Sequence, residues 1–394
     1  MNSCINTIST FPGCNSILKF YTQSTIKALL QRFRNLIFFL ILIILILLHG
    51  SCTPSIKFSS LKPSNKNIRP IGRVLLKKNG PAEIYWPGSG FSIKFRGTGL
   101  EAILKDEKGF NYFNVIIDDS LSHFIRINKA KSNYTIASNL ADTIHTIKLL
   151  KRADWFRGKT WLYEFQFSSG TKIYADKPNT RMIEFYGNSI TVGAAVEDNG
   201  QDNGDSIFTN NYYSYAYLTA KHFNAEYSCI ASSGIGVMAS AGNLIMPDIY
   251  DRLNPDDNLS KWDFSKMKPD IVVINLFQND SWIIYSPDFI QFKRRFGTKP
   301  PTEEYIVNAY KNFVQSIRLH YPNTNIICTL GSMDAVKPGS PWPGYIEKAV
   351  AQMNDKKIFV HFFEYLNKTT HPKINDQQKM ANDLIDFISN NIHW

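Results

Sequence analysis

In the second half of the chain, apolar residues come in short unbroken runs, each followed at once by small or polar ones. Met182-Ile-Glu-Phe-Tyr-Gly187 leads into Asn188-Ser189-Ile190-Thr191, and Tyr227-Ser-Cys-Ile-Ala231 into Ser232-Ser233-Gly234. Ile271–Leu276 leads into Phe277-Gln278-Asn279-Asp280, and Asn325–Leu330 into Gly331-Ser332-Met333. Runs of this length, rich in branched and aromatic residues, predict buried strands. Between them the spacing predicts helices near Tyr212–Phe223 and Thr302–His320. Alternating strands and helices predict a mostly parallel sheet covered on both faces. Ligands of such sheets gather beyond the carboxyl ends of the strands. Ser189, Gly234 and Asn279 each follow a strand by a few residues, so all three are expected to face one crevice.

Ser189 falls where a tight turn at Gly187 passes into a helix start. Unpaired backbone N–H groups and the positive dipole end converge there. Serine in that place serves either as a helix cap or as a nucleophile whose own N–H helps bind the oxyanion it creates. On this segment alone the cap is the commoner role, but independent caps have no reason to converge with two other strand ends. A fourth element follows the strand at Lys357–Phe363, where Thr369-Thr370-His371-Pro372 precedes a helix from about Asn375 to Asn390. Pro372 blocks helix before it and stiffens the loop. Most loop histidines are solvated surface residues. Beside a serine, a glycine N–H and an asparagine amide, His371 becomes the natural general base.

Residues 68 to about 173 follow another pattern. Ile71-Gly72-Arg73, Ile84–Ser89, Ile93–Gly99, Phe113–Asp118, His145–Arg152 and Trp161–Phe167 are short strands punctuated by Gly, Pro or Asp. Without a convincing helix among them, they predict an antiparallel sandwich or jelly roll. Trp86, Trp155 and Trp161 are expected in its core rather than on a sugar. The polar connector Ala175–Thr180 joins the two regions and is too short to let them move far.

Gly187-Asn188-Ser189-Ile190, the Ser233-Gly234 turn, Asn279-Asp280 and His371-Pro372 resemble, in order and spacing, the blocks of the SGNH (GDSL-type) hydrolases over residues 180 to 394. The upstream region is similar to the N-terminal jelly roll of carbohydrate esterase family 2, whose members join it to an SGNH domain and remove acetyl groups from xylan and related glycans. The resemblance implies Ser189 as nucleophile, His371 as base, and the N–H groups of Ser189 and Gly234 with the Asn279 amide as oxyanion hole. Trp282 and Trp342 are expected to bind substrate, and no cofactor or metal is implied. The implied fold is an α/β SGNH hydrolase, a flavodoxin-like three-layer arrangement around a parallel sheet, preceded by an all-β jelly-roll sandwich.

Three positions depart from the family pattern. Asn188 replaces the usual aspartate before the serine, and Phe277 the glycine two residues before the block-three asparagine. The aspartate that usually stands two or three residues before the histidine is absent, those positions holding Thr369 and Lys368. Loss of such a carboxylate costs a triad hydrolase roughly 10⁴ in turnover, less where a backbone carbonyl substitutes. The chain therefore reads as a Ser-His dyad with the imidazole held by a carbonyl. The alternative is a glycan-binding protein that has lost catalysis.

An apolar fraction of 44% and 20% charged residues are globular values, and 394 residues suit a sandwich plus an α/β domain. Leu36–Leu48 is an unbroken apolar run of 13 residues, shorter than the roughly 20 that span a bilayer. Lys27, Arg32 and Arg34 precede it and Gly50-Ser51-Cys52 follows, which reads as a secretory leader with a bacterial lipoprotein cleavage box at Cys52. An uncleaved anchor is the other possibility, since His49 fits that box poorly. The expected division is a leader over 1–52, a linker over 53–67, a sandwich over 68–175 and a hydrolase domain over 176–394, placed at the cell envelope. Net charge is +11, of which Lys19, Lys27, Arg32 and Arg34 contribute four, leaving +7. With no dense basic run, nucleic acid is set aside, and acetylated poly- or oligosaccharide is the expected partner. Cys229 and Cys328 fall inside buried strands, so neither a disulfide nor a metal site is expected, and oligomeric state is left open.

Overall fold

The computed structural model describes residues 26–41 and 59–394. Residues 26–41 form helix α1. Most of the predicted leader, including Cys52, lies outside the described residues. Among those described, no helix is long and apolar enough to cross a membrane.

Twelve strands build the first half of the unit that spans Lys57–Trp394. They are β1 (Ser59–Leu61), β2 (Ile68–Ile71), β3 (Val74–Leu75), β4 (Ala82–Ile84), β5 (Gly90–Arg96) and β6 (Leu100–Asp106), then β7 (Tyr112–Ile117), β8 (Ser120–Arg126), β9 (Ser132–Ala137), β10 (Ile144–Lys151), β11 (Thr160–Phe167) and β12 (Lys172–Tyr174). One antiparallel sheet runs β3-β4-β11-β6-β9 with β1 also on β11, and the other β12-β5-β10-β7-β8 with β2 on β5. Along β6 the burial alternates strictly, with Leu100, Ala102 and Leu104 turned inward, as a period-2 strand on a one-sided core requires. Phe91, Phe95, Phe113, Leu149, Phe165 and Phe167 fill the space between the sheets. Each such side chain contributes roughly 1.5–3 kcal/mol of burial. β1 lies in the stretch expected as linker, and pairs Leu61 with Phe165.

The second half is a five-stranded parallel sheet in the order β14-β13-β15-β16-β17, formed by β13 (Met182–Gly187), β14 (Glu226–Ala231), β15 (Ile271–Asn275), β16 (Asn325–Leu330) and β17 (Ile358–Phe362). The short helix α2 (Ser189–Val192) follows β13, and α3 (Tyr215–His222) precedes β14. Between β14 and β16 lie α4 (Met246–Ile249), α5 (Gln278–Ile283), α6 (Ile290–Phe296) and α7 (Glu303–His320), and then α8 (Trp342–Met353) and α9 (Ile374–Asn391) complete the chain. Every residue of β13 and β15 is buried, because helices cover both faces. α7 turns Ile306, Tyr310, Phe313 and Ile317 onto one face together with Ile346 of α8. Tyr215 of α3 and Leu384 and Ile388 of α9 cover the other. α7 starts where Thr302 Oγ1 accepts the Tyr305 N–H and Glu303 and Glu304 meet the helix dipole. Its inward residues recur at helical spacing. The predicted helices of the second half thus form within a few residues of where the pattern places them.

Because β13 lies between β14 and β15, the chain passes to one side of β13 and then returns past it. That switch opens a crevice at the carboxyl ends of these three strands.

Candidate active site

Gly187, last in β13, pairs with Ala231 and Asn275 on its two neighbours. A Cβ at Gly187 would lie 2.0 Å from Thr191 Oγ1, so only glycine lets α2 start this close to the strand. Asn188 Oδ1 accepts the Ile190 N–H at 3.0 Å. Asn188 is therefore the cap, and Ser189 stands at the first helical position with its hydroxyl free for another partner. That partner is His371, whose Nε2 lies 2.8 Å from Ser189 Oγ.

The other side of the ring carries the main departure from the sequence-based reading. His371 Nδ1 lies 2.8 Å from Asp202 Oδ2, and the His371 backbone N–H donates to the same oxygen at 2.6 Å. With Nδ1 protonated, the ring donates to Asp202 and presents Nε2 as acceptor for the Ser189 hydroxyl. A backbone carbonyl is thus not what holds the ring. The dyad expectation follows from the absence of an acid just before His371, whereas the acid arrives from a loop 169 residues away. Lys373 Nζ contacts the second Asp202 oxygen and donates to Ala195 O at 3.0 Å. Burial alone would raise the Asp202 pKa. The hydrogen bonds from Lys373 and His371 outweigh it and hold the carboxyl below its ordinary range. Lys368, at a position where relatives carry the acid, is paired at 2.7 Å with Asp376, whose Oδ2 also accepts the Lys373 N–H. Glu364 is exposed.

Asp202 sits on the run Glu197-Asp-Asn-Gly-Gln-Asp-Asn-Gly-Asp205. Asp198 accepts the N–H groups of Gly200 (2.7 Å) and Asn203 (3.0 Å), folding the loop on itself. Asp202 takes φ +61°, a left-handed value that Asp tolerates better than most side chains. The density of Asp, Asn and Gly signals a turn, but nothing local says which acid reaches the histidine.

The turn after β14 carries Gly234 at φ +77°, where a Cβ would come within 2.8 Å of Ala241 Cβ. Ser232 N–H donates to Gly187 O at 3.2 Å, tying this turn to β13 just before Ser189. Asn279 Nδ2 donates to Ile235 O at 2.8 Å, which leaves its second amide hydrogen for a ligand. Asp280, fully buried, accepts the N–H groups of Val237, Met238 and Ala239 at 2.7–2.9 Å. The Asn279-Asp280 pair therefore locks the start of α5 to the loop that holds Gly234. The motif contains Asp280, but its role as acceptor of three backbone N–H groups is visible only in the fold.

Phe277 has φ +84°, which explains the usual glycine. Its ring is accommodated between Tyr310 and Trp342, with centroids 4.7 and 4.9 Å away. Trp342 is consequently 2% exposed and belongs to the core, not to a substrate surface as expected. Trp282 is 36% exposed, with Nε1 3.5 Å from Asn279 Oδ1, at the edge of the site. A cavity of about 710 Å³ opens beside Gly234, walled by Trp155, Phe156, Ser233, Ala241, Leu244 and Asp256. Burial pushes the thiols of Cys229 and Cys328 up to about 12, so both act as small apolar groups. Among the described residues, no three His, Cys, Asp or Glu side chains form a group that could hold a metal.

Residues 70–176 match the family model for the N-terminal domain of carbohydrate esterase 2. A cellulase/esterase, CelE, of Acetivibrio thermocellus is 33% identical over 331 residues, 80% of this chain, and the match spans 38% of that longer protein. An acetylxylan esterase / glucomannan deacetylase of Cellvibrio japonicus is 30% identical over 340 residues, covering 80% of this chain and 89% of the relative. Among solved structures, a family two carbohydrate esterase from Clostridium thermocellum in complex with cellohexaose superposes with a TM-score of 0.71. That match has 30% identity over 82% of this chain and 98% of the other.

Proposed function

The chain belongs to carbohydrate esterase family 2 and is a carboxylic ester hydrolase, and we propose that it removes acetyl groups from xylan or a related glycan through Ser189, His371 and Asp202. The carrying observation is the single imidazole that reaches Ser189 Oγ with one nitrogen and Asp202 with the other. His371 Nε2 takes the Ser189 proton as Oγ attacks the acetyl carbonyl. The oxyanion is met by the N–H groups of Ser189 and Gly234 and by the Asn279 amide. The imidazolium, stabilised by ionised Asp202, then protonates the departing sugar oxygen. Water, activated by the same nitrogen, releases acetate from Ser189. The sugar ring is held in the cavity beside Gly234, against Trp155 and Phe156. The alternative, a glycan-binding protein without catalysis, draws on Lys368 and Phe277. An acid beside His371 at Asp202 and the positive φ that Phe277 keeps in place of the usual glycine both favour the esterase reading.

Acetate release from acetylated xylan by purified protein tests this. Ser189→Ala should abolish it, by about 10⁴-fold or more, at unchanged melting temperature. Undiminished release would end the assignment. We also propose that the Leu36–Leu48 run directs secretion and is cleaved off before Cys52, whose lipid then holds the enzyme at the cell envelope. Fatty-acid labelling should then mark the wild type and not Cys52→Ala; equal labelling of both removes that reading.

A further inference from the structure

The last residues of β10 and the turn after it, Lys151–Arg157, leave the sandwich and reach both loops on which catalysis depends. Arg152 is 1% exposed. Its Nε donates to Thr209 O at 3.2 Å and its Nη2 to Ile207 O at 2.7 Å, and it pairs with Glu197. Glu197 N–H in turn donates to Phe208 O at 3.1 Å. These contacts close the base of the loop whose tip bears Asp202. Nearer the tip, Arg157 Nη2 donates to Gly204 O at 2.5 Å. The clasp is itself fixed from the sandwich side. Arg152 stacks over Phe124 at 4.8 Å, and Asn114 Nδ2 donates to Asn210 Oδ1 at 2.7 Å.

The same segment holds the other loop. Asp154 is buried, and its Oδ2 accepts the Ser233 N–H at 2.6 Å, one residue before Gly234. Lys151 Nζ, also buried, donates to Ala153 O and Asp154 O at 2.9 and 2.8 Å, which fixes the segment's own backbone. Buried charges add little net stability compared with apolar packing. Here those of Arg152 and Asp154 end on the backbone of the two loops that carry Asp202 and Gly234. That pattern is what positioning requires.

We infer that the Lys151–Arg157 segment of the sandwich is a working part of the esterase site, with Arg152 a positioning residue acting through Asp202 and Asp154 one acting through Gly234. The inference rests on the Ser189–His371–Asp202 reading. It deepens that reading by making the catalytic apparatus a property of both halves of the molecule.

The test is a double-mutant cycle on kcat and KM for a simple acetyl ester, with melting temperature as the check on folding. Arg152→Lys should lower kcat about 10- to 30-fold with KM within twofold. In an Asp202→Asn background the same change should cost less than twofold, because the residue it acts through is already disabled. Arg157→Ala, a half-buried position that threatens folding less, should lose about three- to tenfold and show the same coupling. Asp154→Leu should lower kcat about 10- to 100-fold, while Asp154→Asn, which keeps an acceptor for the Ser233 N–H, stays within threefold. Equal losses from Arg152→Lys and Arg157→Ala in both backgrounds, or full activity in Asp154→Leu, overturn the inference while leaving the triad in place. Full kcat in Asp202→Asn itself overturns the triad reading and the role of Arg152 with it.

Discussion

The two halves of the molecule place their buried polar groups by different rules. In the parallel sheet the strands are buried on both faces, and the groups with chemistry follow the strand ends, as Ser189, Gly234 and Asn279 do. In the sandwich, strands such as β6 alternate between core and surface, and buried charges at its edge point across the seam into the other half. Arg73 and Arg152 make the comparison sharp, since both are buried arginines of the sandwich whose hydrogen bonds end on the parallel-sheet half. Arg73 donates to Glu184 Oε1 at 3.1 Å, to Tyr186 OH at 2.9 Å and to Tyr250 O at 2.5 Å, within and beneath β13. Arg152 instead ends on the loop of Asp202, the proposed triad acid. One arginine therefore braces the sheet and the other the loop of the proposed acid, and burial alone does not tell them apart.

Removing the acid should have the largest effect. Asp202→Asn should lower kcat by about 10²–10⁴ at nearly unchanged KM. Steady-state kinetics that found less than a tenfold loss would return His371 to a carbonyl-held dyad. Next comes the brace of the sheet. Arg73→Met should cost about 3 kcal/mol in denaturant unfolding, the low end for breaking a buried pair, because Tyr186, Tyr321 and Ser228 still donate to Glu184. Its kcat should stay within twofold under conditions where it is folded. A kcat loss as large as that of Arg152→Lys would erase the distinction between the two arginines.

Smaller changes are expected from the acids nearest His371 in sequence. Glu364→Gln and Asp376→Asn should each lower kcat less than tenfold, under roughly 1.4 kcal/mol. A thousandfold loss in either folded variant would move the acid away from Asp202. The smallest effect concerns Lys151, which burial pulls from 10.5 down to about 8. Below pH 8 the lysine is charged in both states. Between about 8 and 10.5 the native state has released the proton and the unfolded state still binds it, so stability rises with pH. From pH 8 to 9.5 the wild type should gain on the order of 1–2 kcal/mol relative to Lys151→Met. A flat difference in parallel denaturant titrations would show that Lys151 does not lose its charge there.

Much of this architecture is legible in the chain, for physical reasons. Runs buried on both faces must be apolar throughout, so β13 to β16 stand out. The turns after β13 and β14 impose glycine at 187 and 234 through close approach and positive φ. His371 is marked by the strand before it and the proline after it. Asp202 is not marked, because a carboxylate on a turn-rich loop looks alike whether it meets solvent or an imidazole. Trp342 misleads for a related reason. An aromatic at a helix start suits a sugar platform or a core equally, and only the inward ring of Phe277 decides for the core. The strap from 151 to 157 is hidden because its partners lie as far as 79 residues on, on two separate loops.

The strap also has a consequence for the order in which the enzyme comes into being. All twelve sandwich strands pair among themselves within residues 59–174, and amino-terminal domains generally fold first during synthesis. Arg152 and Asp154 can therefore be in place as a template before the acid loop and the Gly234 turn fold. His371, borne just ahead of the last helix, arrives after both. On the proposed reading, His371 then docks onto Ser189, Asp202 and the Gly234 turn already held in register, so hydrolytic competence follows the assembly of the strap and its two loops.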